Sequence, residues 1–148
     1  MTQHLIEPFT EGALEMLVTM LGIEGTVVSA DEVPRAEIAA SMPLEGQPGG
    51  QLLLGFSHEA ATRLVGEMLG MEPDELEEDD LADGIGEMAN IIAGFAKTRL
   101  SEAGVHFNLA LPEILAGDEL ASHMDGKNVL LGKLQTEYGD FDVAVWFA

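Results

Sequence analysis

Apolar residues between positions 81 and 103 return every three or four places, at Leu81, Ile85, Met88, Ala89, Ile92, Ala96, Leu100 and Ala103. This spacing predicts a long helix with those residues on its buried side. Asp83, Glu87, Asn90, Gly94 and Ser101 then form the opposite stripe, which faces solvent or a partner. The same period over Phe9, Ala13, Met16, Leu17, Met20 and Leu21 predicts a first helix, with Pro8 in its opening turn and Gly22 as its C-terminal cap. Extended character follows at 26–28, 36–44 and 51–56, and the Gly- and Pro-containing segment 45–50 makes a hairpin of the last two strands. Ser57 caps a second helix whose stripe, Ala61, Leu64, Val65, Met68 and Leu69, ends at Gly70, with Pro73 beyond. The acidic run 72–80 reads as a solvated linker whose last carboxylates favour the N-terminus of the central helix. Residues 105–111 read as a strand stopping at Pro112, 117–126 as an irregular acidic connection, and 128–136 and 141–147 as two closing strands.

The expected order is therefore α-βββ-α-α-βββ, an α+β arrangement with an antiparallel-rich sheet. Two of the helices end in Met-Leu-Gly, at 20–22 and at 68–70, a weak sign of a duplicated half. At 148 residues with 47% hydrophobic content, the chain suffices for one well-buried core, so a single domain over 1–148 is expected. A formal charge of −21 opposes binding to nucleic acid or to an anionic membrane surface. There is no cysteine, hence no disulfide framework and no thiolate metal site. The N-terminus lacks a basic region followed by an apolar run, and no stretch approaches the roughly 20 apolar residues of a membrane span. A cytoplasmic location fits these features.

Several chemical motifs fail on inspection. Ser57 follows a strand and precedes a helix, but the closing glycine of a nucleophile elbow is replaced by Glu59, which leaves Ser57 as a cap. His4, His58, His106 and His123 lack metal-ligand spacing, and the acidic run breaks the EF-hand pattern at Leu81, so no metal site is expected. Gly84-Ile85-Gly86 lacks the third glycine and the preceding strand of a dinucleotide loop, and both glycines stand near enough to the helix start to be tolerated. Asn90 and Gly94 differ, because they fall mid-helix on the polar face. Glycine there costs up to ~1 kcal/mol relative to alanine, and asparagine somewhat less. Glu87 and Asn90, one turn apart, can act on the same external object, while Gly94 lets another backbone approach.

At these residues the chain resembles the CheX-type phosphatases of the CheC-like group in bacterial chemotaxis. That family's helix carries Asp or Ser, three residues, Glu, two residues and Asn, with a Pro some twenty residues on; here these are Asp83, Glu87, Asn90 and Pro112. The likeness continues through Pro8-Phe9, both Met-Leu-Gly ends, Ser57, Ala96-Lys97-Thr98 and the stretch from Leu109 to Pro112. It implies a CheC-like fold with the motif helix exposed, and hydrolysis of the aspartyl phosphate on a CheY-like receiver. It also implies that Asn90 orients water, that Glu87 pairs with the receiver's lysine, that Asp83 helps cap or orient the helix, and that Pro112 fixes the strand exit. Mg2+ is expected in the receiver, with no cofactor in this chain. The resemblance also implies a homodimer, since the family pairs its single-motif chains through their sheets; the C-terminal strand, ending Val145-Trp146-Phe147-Ala148, lacks the lysines or prolines that guard an open edge and must be covered within the sheet or by a second subunit. The competing expectation is a non-catalytic CheC-like module that binds a phosphorylated receiver, as in the flagellar switch. A structural oligomerisation domain with a vestigial motif ranks below both.

Overall fold

The central helix of the computed structural model, α3 (Glu78–Glu102), starts before its apolar period predicts, because carboxylates organise its first turn. The Glu77 N–H donates to Asp80 Oδ2 at 3.0 Å, and Glu78, Asp79 and Asp80 place negative charge at the positive end of the helix dipole. Asp83 is consequently in the second turn and caps nothing, which corrects the capping role expected of it. Leu81, Ile85, Met88, Ala89, Ile92, Ala96 and Leu100 are buried as the period predicts. Ala103 is exposed instead, since the helix ends one residue before it. Each large aliphatic side chain so buried contributes on the order of 1.5–3 kcal/mol.

The structure describes residues 5–30, 35–47, 49–125 and 127–147; His4, Asp31, Pro48, Gly126 and Ala148 lie outside the described residues. Helix α1 (Glu7–Met16) runs into a π-helical turn at Leu17–Leu21 and is closed by Gly22 in the left-handed region, at φ 69°. The wider turn keeps Leu17 and Leu21 buried but swings Met20 out to 39% exposure, contrary to its expected place in the apolar stripe. Helix α2 (His58–Leu69) is capped by Ser57, whose Oγ accepts from the Ala60 N–H at 3.1 Å, and ends at left-handed Gly70. It packs closely on α3 at Gly84, where a Cβ would lie 2.6 Å from a Val65 methyl. Packing, not nearness to a helix start, explains that glycine.

The sheet is antiparallel throughout. Among the described residues it contains β1 (Thr26–Ser29), β2 (Ile38–Gly46), β3 (Gly50–Phe56), β4 (Phe107–Leu109), β5 (Glu113–Ala116), β6 (Leu130–Thr136) and β7 (Gly139–Phe147). Their order is β1-β6-β7-β3-β2-β4, with β5 also paired to β2. Helices α1, α2 and α3 share one core with the sheet face that carries Met42, Leu52, Leu54, Val143 and Val145. A short helix, α4 (Gly117–Met124), covers part of the other face, where Leu120 and Met124 pack with Ala39, Leu53, Leu115 and Ala144. No helix among the described residues is long and apolar enough to cross a membrane.

Three expectations change here. The span 105–111 is a strand only at Phe107–Leu109, and the chain re-enters the sheet after Pro112 as β5. The segment 117–126, read as irregular, contains α4, whose large buried apolar residues, Leu120 and Met124, are too few to display a helical period. The observed order is α-βββ-α-α-ββ-α-ββ. Finally, β7 lies between β3 and β6, so its apolar edge is covered within its own sheet and requires no second subunit.

Pro43 shapes the far edge of the sheet. β2 pairs with β5 over Ile38–Ser41 and with β4 over Leu44–Gly46. The change of partner falls at Pro43, which has no N–H to offer an outer neighbour. The chain joining β4 to β5 therefore leaves the ladder there and carries Leu111 and Pro112 outward, leaving Leu111 89% exposed.

Candidate functional site

A surface cleft of about 350 Å³ is lined by Asp83, Glu87 and Asn90 from α3, Pro112 from the β4–β5 connection, and Ala82, Gly86 and Ile114. Four of the five residues singled out from the sequence thus meet in one place. Helical spacing sets the first three on one exposed stripe, and the break in pairing at Pro43 brings Pro112 across to them. Pro112 lies over Gly86, where an added Cβ would sit 3.4 Å from Pro112 Cγ, at ordinary van der Waals contact. Gly94 does not line the cleft. It lies one turn further along the same stripe, half-buried, and a Cβ added to it would meet nothing within 4 Å. The fold itself therefore has no need of glycine at 94. Gly86 and Ile114 were not singled out from the sequence; the first is hidden by its nearness to Gly84, and the second belongs to a strand with too few residues to show a pattern.

The chemistry of this cleft is defined by what its side chains carry. Among the described residues, the side chains of Asp83, Glu87 and Asn90 have no hydrogen-bond or ion-pair partner in the chain. The lining offers two carboxylates and one carboxamide, and none of its residues is a serine, histidine, lysine or arginine. No group of three or more His, Asp or Glu that could hold a metal ion occurs among the described residues. An acidic cleft of this kind repels a bare phosphate ester. It can place a carboxamide against an oxygen and a carboxylate against a cation, provided that the object entering it brings its own positive charge.

A CheC-like α+β fold, presenting a Glu-x-x-Asn helix beside a proline-bearing loop, defines the class. Residues 38–135 match the family model described as chemotaxis phosphatase CheX. The chain is 30% identical over 125 residues to the CheY-P phosphatase CheX of Thermotoga maritima, covering 81% of this chain and 80% of that protein. The crystal structure of the chemotaxis protein CheX from Desulfovibrio desulfuricans superposes with a TM-score of 0.83 at 28% identity, over 98% of this chain and 99% of that one. The CheX chain in a CheX–CheY–BeF3–Mg2+ complex from Borrelia burgdorferi has the same fold, with a TM-score of 0.77 at 21% identity over 96% of each chain. This protein belongs to the CheX chemotaxis phosphatase family.

Proposed function

We propose that this protein accelerates loss of phosphate from the phospho-aspartate of a CheY-like receiver, ending a chemotaxis-type signal, and that Glu87 and Asn90 are the residues it contributes. The observation that carries the reading is the composition of the cleft: a carboxamide without a partner among the described residues, beside two carboxylates, with no cationic or nucleophilic side chain in the lining. Such a site is chemically incomplete alone and complete against a phosphorylated receiver that supplies Mg2+ and a lysine. In the reaction, the oxygen of water bonds to phosphorus while the bond from phosphorus to the aspartyl oxygen breaks, giving phosphate and a free carboxylate. The proton of the water leaves with the phosphate. The Asn90 carboxamide accepts a hydrogen bond from that water and donates one to an oxygen, holding the water in line without acting as a base.

Glu87 pairs with the receiver's lysine. Asp83 and Pro112 form the walls against which the receiver docks, and Gly94 is the gap that admits its loops. The divalent cation stays with the receiver and neutralises the charge on the transferred group. The functional unit is a single CheC-like domain working in the cytoplasm.

The protein also pairs with a second copy of itself. Since β7 is interior, the support for a dimer moves to β1, which among the described residues is an edge strand paired with β6 alone, contains neither lysine nor proline, and leaves Val27 40% exposed. Sedimentation at tens of micromolar, the order expected for a modest interface, should find a dimer; a monomer there rules the pairing out.

The test of the activity is phosphate release from a Mg2+-loaded, phosphorylated receiver of the same organism. Acceleration by the wild-type chain is expected, with none on small aryl phosphates, which bring no cation. Binding to that receiver without acceleration would establish instead the non-catalytic module.

A further inference from the structure

The two Met-Leu-Gly helix ends, at 20–22 and 68–70, converge on one place. Met20, Met68 and Leu69 line a groove of about 360 Å³ whose other wall carries Asp80, Asp83 and Glu87. Leu69 is 46% exposed and Met20 39%, although their neighbours Leu21, Leu64 and Val65 are buried in the core. Met20 reaches the groove through the π-helical turn, a local departure from the α-helix that often accompanies a functional surface. Methionine and leucine at such a position form an adaptable apolar seat, and the facing carboxylates give it a strongly acidic rim.

Asp83 and Glu87 line both this groove and the cleft that holds Asn90 and Pro112. The exposed face of α3 is thus a ridge with a polar cleft on one flank and an apolar groove on the other. A partner large enough to cover Glu87 spreads over both. We infer that the Met20, Met68 and Leu69 groove is a second docking subsite for the phosphorylated receiver, taking an aliphatic side chain flanked by lysine or arginine. This rests on the receiver being the substrate. Charge favours that occupant: an apolar seat with three carboxylates on its wall, in a chain of formal charge −21, selects a partner with a basic border. The groove sets affinity and orientation, while the Asn90 cleft sets turnover.

The test compares wild type with Met20→Ser/Leu69→Ser, and with Leu69→Ser alone should the double variant melt below the assay temperature. Binding is measured by calorimetry on a receiver loaded with Mg2+ and BeF3, and turnover by steady-state phosphate release. The double variant should raise both Kd and KM about tenfold, as loss of an apolar anchor does, and leave kcat within about twofold. Asn90→Ala should show the opposite split. Wild-type activity with Kd and KM unchanged in the serine variants overturns the subsite alone. A wild-type chain that neither binds the receiver nor accelerates its phosphate loss removes the receiver assignment, and the subsite with it. Serine variants that turn a dimer into a monomer without changing Kd overturn the subsite by making a second copy the occupant.

Discussion

The exposed stripe of α3 and the outer face of the sheet are both polar surfaces, yet their side chains behave differently. On the sheet, Gln51 Nε2 donates to Ser41 Oγ and lies 3.4 Å from His123 Nδ1, and Lys133 pairs with Asp142 at 3.7 Å. Lys127 sits over the Trp146 ring, 4.5 Å from its centroid. Trp146 Nε1 is the exception there, buried without an acceptor among the described residues. On α3, Asp83, Glu87 and Asn90 engage nothing among the described residues, although nine or more residues away on the same helix Arg99 makes a 2.7 Å ion pair with Glu11. Polar residues that serve the fold find partners within it. Ser101 on the α3 stripe does so too, 3.2 Å from His106 Nδ1, whereas Asp83, Glu87 and Asn90 are left over among the described residues, and Asn90 and Gly94 are poor helix formers that the packing does not require.

The contrast can be broken first on the buried side of α3. Ile92 is fully buried, and Ile92→Ala should destabilise the protein by about 2–5 kcal/mol, measured by denaturant unfolding. Activity per folded molecule should persist, because the side chain lies on the face opposite the cleft. If unfolding is unaffected, the assignment of the two faces is wrong.

Gly94→Ala sharpens the comparison from the other side. Space is open around a Cβ at 94, so the substitution should stabilise the helix by up to ~1 kcal/mol. Binding to the phosphorylated receiver should weaken at the same time, because the gap is filled. Tighter folding with unchanged binding would leave Gly94 without a functional role.

The smallest effect concerns the sheet. Burial pushes the Asp142 carboxyl above its ordinary value, with Lys133 opposing and Asp140 adding to the rise. An acid whose folded pKa is raised favours folding most when protonated, so its contribution is present below the ordinary carboxylate range and lost as pH rises through the raised pKa. Asp142→Asn should therefore raise stability at pH 7 by less than about 1 kcal/mol after solvent screening, and the gain should vanish in acid. Thermal melting across pH 3–7 (from about one unit below the ordinary aspartate value to about three units above it) checks the sign. A loss of stability at pH 7 would mean that the Lys133 pair outweighs burial.

Much of this architecture was legible in the chain. The long apolar period of α3, the cap at Ser57 and the left-handed glycines at 22 and 70 act locally, and local spacing displays them. What stayed hidden depends on contacts between distant segments. Glu113–Ala116 is recognisable as a strand only because β2 changes partner at Pro43, and α4 is stabilised by a small cluster that it joins from outside. Met20 left its predicted face because the helix widens beneath it, and no residue between 17 and 21 announces that change. Of the candidate site, Asp83, Glu87 and Asn90 were readable from helical spacing. Pro112 came from resemblance, and its position beside them is a consequence of sheet pairing.

The most direct test of the central claim is to separate binding from turnover at Asn90. Asn90→Ala should abolish stimulated phosphate loss from the Mg2+-loaded, phosphorylated receiver while its Kd for the BeF3-loaded receiver stays within about twofold of wild type (below about 0.5 kcal/mol). Its thermal stability should stay level or rise by a few tenths of a kcal/mol, since the side chain has no partner among the described residues. Glu87→Ala, by contrast, should weaken both binding and turnover. An Asn90→Ala protein that still accelerates phosphate loss at the wild-type rate would contradict the account, because Asn90 is the one carboxamide in the cleft lining.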